Sequence, residues 1–257
     1  MANVLIKIEY DGSNFCGWQK QPEGRTVQGE IEHVLQYIAM EEVPIHGTSR
    51  TDAGVHAYGQ CASFEWNCNM PVDKLPEVMN RRFGAGGAGR SGAPGDIRII
   101  SAEVMPDDFH ARYDCKGKTY RYIIDKTGDI FRRNYAYQFP EACDLDIERM
   151  REAAEHIVGT HDFKCFETAG GTPRETTVRT VKDLSITEND REIIIEITGD
   201  GFLYNMVRII VGTLVEVGLG KKEPGVLPAI IESKDRQNAG FTAPPGGLYL
   251  KEIYFGE

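Results

Sequence analysis

One stretch limits the folds open to this chain more than any other: "FLYNMVRIIVGTLVEVG", from Phe202 to Gly218. It has helical length, and its apolar residues point in nearly every direction around the axis, so it must be enclosed on all sides. A helix of that kind needs a large body around it. The 257 residues, 41% hydrophobic and 26% charged, are enough to build one. In the middle of the apolar run stands Arg208. Its guanidinium either follows its stem to the surface or meets a carboxylate, because an unpaired buried charge costs about 3–5 kcal/mol.

The remaining elements alternate. "VLIKIEY" sets Leu5 and Lys7 opposite Ile6 and Ile8, the period of a strand. Thr26 is placed to cap a helix with apolar Val27, Ile31, Val34, Leu35 and Ile38. "YGQCASFEW" predicts a strand, "VDKLPEVMNRRF" a helix, "DIRIISAEVM" a strand, and "KTYRYIID" a strand with Tyr120, Tyr122 and Ile124 on one face. Farther on, "DIERMREAAEHIVG" predicts a helix stopped by Gly159, "REIIIEITG" a strand, and "GGLYLKEIYF" the last strand. Helices between strands that need not be parallel predict an α+β fold in two halves around a mixed or antiparallel sheet, residues 1–110 and 111–257.

No apolar run reaches the length of a membrane span, and Lys7 and Glu9 interrupt the start where a signal peptide would be apolar. A cytoplasmic protein is expected. Six cysteines without a Cys-x-x-Cys pair predict reduced thiols, and six histidines without a His-x-x-x-His pair predict no metal site. The net charge of −10 argues against a nucleic-acid partner, but basic residues cluster at Arg81 and Arg82, at Lys116, Lys118 and Arg121, at Arg132 and Arg133, and at Lys221 and Lys222. Each cluster reads as solvated surface on its own; together they leave room for a basic groove on an acidic body. "GAGGAGRS", from Gly84 to Ser91, matches a dinucleotide-binding pattern but follows "NRRF" rather than an apolar strand and precedes Pro94, so it predicts a mobile surface loop.

"SRTDAGVHA", Ser49 to Ala57, concentrates an arginine, an aspartate and a histidine. Asp52-Ala53-Gly54 is ordinary turn chemistry. Yet Gly47 and Gly54 bracket the segment, which lets backbone approach something closely, and Arg50 stands two residues from the acid. A turn and a binding surface are both open. Tyr120 and Tyr122, flanked by Lys118 and Arg121, are either core rings or a stacking platform for a base. An acid, an arginine and a stacking tyrosine suit chemistry on a nucleobase.

Beyond these residues, "YDGSNFCGWQKQ", "RTVQGEIEHVL", "SRTDAGVHAYGQ", "PDDFHARYDCKGKTYRY", "GTHDFKCF", "GFLYNMVRIIVGTLVEVG" and "GGLYL" follow in an order that resembles the TruA-type tRNA pseudouridine synthases almost end to end. The resemblance implies isomerisation of uridine to pseudouridine at positions thirty-eight to forty in the anticodon arm of tRNA, by a homodimer without cofactor or metal. It implies a mixed-sheet α+β body of two related halves with the catalytic cleft between them. Residue by residue, it implies that Asp52 is the catalytic aspartate, Tyr120 the active-site tyrosine, and Arg208 the arginine paired with the aspartate. Arg50 would contact RNA and occupy the gap left by the flipped uridine, and Leu248 would close the pocket. His56 would contact RNA, or make a structural hydrogen bond at the turn. Three routes stay open for Asp52: attack on the base, attack on the ribose, or removal of a ribose proton.

The chain departs from the family pattern twice. Ser49 stands where a glycine usually precedes the motif arginine, and "RRFGAGGAGRSGAPG" lengthens the connection between Asn80 and Asp96. Two rival readings are an RNA-binding protein that has lost catalysis and an Asp-dependent hydrolase. Asp52, Tyr120 and Arg208 occurring together speak against the first, and no means of delivering water supports the second.

Overall fold

The computed structural model describes residues 2–84, 95–170 and 175–256. The chain divides into two compact units, residues 1–116 with 249–257, and residues 117–248. Residues 111–116 and the last nine residues, expected with the second half, group with the first unit.

In the first unit β1 (Ala2–Tyr10) lies between β3 (His56–Trp66) and β4 (Ile97–Met105), antiparallel to both. Beyond β3 runs β10 (Leu248–Tyr254), parallel, with Tyr249 opposite His56 and Leu250 opposite Ala57. The sheet is therefore mixed. Val4, Ile6, Ile8 and Tyr10 are buried on alternate positions of β1, as the sequence period predicts. A short strand β2 (His46–Gly47) pairs with β3 and sets His46 opposite Ser63.

Helix α1 (Val27–Ala39) begins where Thr26 accepts the Gly29 N–H, and it buries Val27, Ile31, Val34 and Leu35. Helix α2 (Leu75–Phe83) is pinned to β4 by the Asn80 carboxamide, which donates to the Ile99 carbonyl at 2.9 Å and accepts the Ile99 N–H at 2.7 Å. Phe83 accepts the Gly95 N–H at 2.9 Å. The predicted mobile loop between these two residues falls on positions 85–94, outside the described residues.

In the second unit β5 (Gly117–Asp125) pairs antiparallel with β9 (Glu192–Gly199), β9 with β8 (Val178–Glu188), and β8 with β7 (Gly159–Asp162). The short β6 (Tyr137–Gln138) joins β5 in parallel. Helices α3 (Ile147–Glu155), α4 (Met206–Gly218) and α5 (Leu227–Ser233) complete it. Gly159 does not stop α3, which closes at His156; it opens β7 at φ 124°. Helix α4 is enclosed as its composition requires, with Arg208 and Glu216 half-buried and every other residue buried. It starts at Met206 and not at Phe202, because Asn205 holds a left-handed φ of 62°. The chain 239–243 crosses α4 so closely that a Cβ on Gly212 would overlap the Phe241 carbonyl, and one on Gly240 would come within 2.6 Å of the Thr213 backbone.

Candidate active site

Asp52 opens a tight turn. The Val55 N–H donates to the Asp52 carbonyl at 3.1 Å, and Gly54 takes the left-handed φ of 78° that such a turn reserves for glycine. The turn reading is therefore correct in backbone terms, and it leaves the side chains on display: Arg50 is exposed and Asp52 half-buried.

What surrounds the turn is rigid. Thr48 Oγ1 donates to the carbonyls of Cys61 and Ala111, both at 3.1 Å. The fully buried Gln60 carboxamide donates to the Ser49 carbonyl at 2.7 Å and accepts the Ser49 N–H at 3.3 Å. Ser49, which stands where a glycine usually precedes the motif arginine, is thus buried without left-handed strain. Thr51 Oγ1 and the Tyr10 hydroxyl share a hydrogen bond of 2.7 Å, and the Thr51 carbonyl accepts the Trp18 N–H at 3.0 Å.

The close approach expected at Gly47 is made, and it is made inside the protein. Gly47 lies against the Trp18 indole, where a Cβ would overlap the ring, so its close approach serves internal packing. Gly12 and Gly17, in "YDGSNFCGWQ", lie against the Val55 carbonyl and, at φ 104°, against the Thr51 carbonyl. That string buttresses the Asp52 turn, a role signalled only by its two closely spaced glycines.

His56 is 1% exposed. Its Nδ1 accepts the Gly12 N–H at 3.1 Å, and its ring stacks on Tyr249 at 4.7 Å, which stacks in turn on Tyr58 at 4.8 Å. Of the two roles the sequence left open, these contacts favour the structural hydrogen bond, and the expected RNA contact has little ring surface to use. A bulge sits beside this stack: Ile8 faces Gln60 but Tyr10 faces Ala57, so two steps along β1 match three along β3. Gly59 fits there because a Cβ would stand 2.7 Å from the Lys251 carbonyl.

The second unit carries the other expected residues. Tyr120, on β5, is 7% exposed and meets Phe202 edge to face at 5.3 Å. Arg208, on α4, donates from Nε to the Ala243 carbonyl and from Nη1 to Asn205 Oδ1, both at 2.7 Å. The next carbonyl, Pro244, accepts the Tyr122 hydroxyl at 2.8 Å. Burial pushes the Tyr122 phenol well above its ordinary range, while the Arg208 charge acts in the opposite direction. Leu248 is buried, and it follows Gly247, whose hydrogen faces the Ile123 carbonyl and the Tyr122 ring.

Several basic residues are engaged with acids: Arg81 with Glu77, Arg121 with Glu196, Arg132 with Asp125 and Glu192, and Lys222 with Glu216. Among the described residues no group of three His, Cys, Asp or Glu side chains is arranged to hold a metal ion. No described helix is long and apolar enough to cross a membrane.

Residues 6–114 and 153–256 match the sequence model of a family described as tRNA pseudouridine synthase. The chain is 46% identical, across 99% of its own length and 100% of the relative's, to "tRNA pseudouridine synthase A" of Acetivibrio thermocellus. It is 45% identical, with the same coverage, to the protein of that name from Caldicellulosiruptor bescii. With "tRNA pseudouridine synthase A 2" of Clostridium perfringens it shares 43% identity, again across 99% of itself and 100% of the relative. A match of that extent in both the family model and whole-length relatives means that this chain belongs to the tRNA pseudouridine synthase family.

Proposed function

We propose that this isomerase converts uridine to pseudouridine at positions thirty-eight to forty in the anticodon arm of tRNA, acting in the cytoplasm as a homodimer without cofactor. Asp52 is the catalytic aspartate, Tyr120 the ring that holds the detached base, and Arg208 the counter-charge of the carboxylate. Arg50 enters the gap left in the RNA and Leu248 closes the pocket. The observation that supports this most is the setting of Asp52. Its carboxylate is half-buried on a turn tied down at Thr48, Ser49, Thr51 and Val55, with exposed Arg50 two residues before it.

The chemistry balances without a co-reactant, since substrate and product are isomers. The bond from uracil N1 to the ribose C1′ breaks, the ring turns over, C5 bonds to C1′, and the C5 proton leaves while N1 gains one. A carboxylate supplies the nucleophile or the base. Tyr120 holds the ring while it is detached, and its phenolic oxygen, having given up its own proton, accepts the C5 proton. Extruding the uridine costs a few kcal/mol, which the pocket and Arg50 offset. Preorganisation of the Asp52 turn matters because small misplacements of a reacting group are expensive in rate.

The test is incubation with anticodon-arm tRNA carrying C5-tritiated uridine, followed by mapping of the product. Release of tritium with pseudouridine confined to positions thirty-eight to forty is the expected result. Release with product elsewhere would keep the isomerase and refute the site.

A further inference from the structure

We propose that His46, His110 and Tyr113 form a stacking platform for an unpaired base of the tRNA substrate, separate from the pocket that takes the target uridine. The rings of His46 and His110 stack at 5.0 Å between centroids with 30° between planes, and those of His110 and Tyr113 lie 4.3 Å apart at 37°. The result is a three-ring ladder with both ends in solvent: His46 is exposed and Tyr113 is 76% exposed. A large aromatic ring held that far out of the core by its own neighbours contributes little to burial. It offers a π face that any base can use.

The ladder is built rather than accidental. The His46 backbone sits opposite Ser63 across β2 and β3, and Ser63 Oγ accepts the Ala111 N–H at 3.0 Å, which brings residue 46 beside residue 110. Asn3 Nδ2 donates to the Phe109 carbonyl at 2.6 Å, and the Asp114 carboxylate accepts the His110 N–H at 2.7 Å. The His110 carbonyl accepts the N–H groups of Tyr113 and Asp114, both at 3.0 Å, closing the turn that lays Tyr113 against His110. Thr48 then joins this segment to the head of the Asp52 turn, since its hydroxyl donates to Ala111 as well as to Cys61. A base seated on the ladder is held by the same anchor that fixes the catalytic loop.

Burial, reinforced by His46, holds the His110 ring below its ordinary pKa, which favours the neutral imidazole in the stack. Stacking also suits a protein of net charge −10, because it needs no phosphate-binding surface. Arg112, exposed between His110 and Tyr113 in sequence, offers a cation to a phosphate beside such a base.

This inference rests on the reading of the protein as a tRNA-modifying enzyme. Its test measures tRNA affinity across salt concentrations, alongside tritium release. Tyr113→Ala should raise Kd about tenfold, within the range of one lost base stack, with melting temperature, salt slope and release rate at saturating tRNA unchanged. Tyr113→Phe, which keeps the ring, should bind as the parent does. Equal affinity of the alanine variant and the parent would overturn the platform. So would a shallower salt slope in Tyr113→Ala, which would signal a phosphate contact instead. A parent that binds tRNA but releases no tritium would sink the isomerase reading while leaving the Kd comparison to decide the platform.

Discussion

Arg208 is held by Asn205: its Nη1 donates to the Asn205 carboxamide oxygen at 2.7 Å, three residues back along the chain. Asn205 occupies a left-handed conformation, φ 62°, at the start of α4, and its own Nδ2 donates to Thr168 Oγ1 at 3.2 Å. With the Nε bond to the Ala243 carbonyl, the guanidinium is fixed in direction in the first turn of a helix whose one other charged side chain is Glu216.

Asn205→Gly separates the backbone from the side chain at this position. Glycine adopts the left-handed turn readily, so the helix start survives while the acceptor for Arg208 disappears. Loss of a hydrogen bond to a charged group is worth about 1.5–3 kcal/mol, partly offset by relief of the strained φ. The melting temperature should fall only slightly and the maximal rate of tritium release about tenfold, a loss in line with that range. A parental rate would show that Arg208 needs no such guide.

Arg208→Met keeps volume in the apolar helix and removes the charge. Under the proposed pairing with Asp52, activity should be lost and should not return at higher tRNA concentration. A normal maximal rate with weaker binding would make Arg208 an RNA contact.

Tyr120→Phe retains a ring already packed edge to face on Phe202. Stability and tRNA affinity should stay near the parent's while turnover falls, since a phenyl ring cannot accept the C5 proton. Unchanged turnover would limit Tyr120 to stacking.

Gly12→Ala tests the buttress under the Asp52 turn, because the added methyl would overlap the Val55 carbonyl. Overpacking of this kind costs about 1–3 kcal/mol, and the melting temperature and turnover should drop together. Gly225→Ala, whose methyl would meet nothing within 4 Å, serves as the neutral control.

The buried thiols carry a pH signature. Burial pushes both Cys61 and Cys165 up from 9.0 to about 12. Their raised folded values mean that their contribution to stability is intact below pH 9.0, the ordinary value, and is lost as pH climbs towards 12. At pH 8 a thiol reagent should label exposed Cys16 and Cys143 in the native protein and spare Cys61 and Cys165 until it unfolds. Labelling of all four at one rate would contradict the burial.

Much of this architecture is legible in the sequence because burial imposes a period. The alternation in β1, the cap at Thr26 and the enclosed α4 follow from residue type alone. Strand β8 is harder to see. "VRTVKDLSITE" buries only Val181 and Ile186, so few apolar positions mark it. The clamps on the Asp52 turn were also hidden, since Gln60 to Ser49 and Thr48 to Ala111 join residues that only the folded chain brings together. The left-handed Asn205 had no local marker beyond its residue type, and it moved the start of α4 by four residues from Phe202 to Met206.

The central claim, that Asp52 performs the isomerisation, is tested most directly by tritium release from C5-tritiated uridine tRNA with the parent and Asp52→Asn at matched tRNA saturation. The amide keeps the shape of the side chain and removes both nucleophile and base. The expected result is release by the parent and none by the variant, with tRNA affinity within about threefold, because a shape-preserving amide leaves phosphate and stacking contacts in place. Substantial release by Asp52→Asn would contradict the assignment and move the chemistry to another residue.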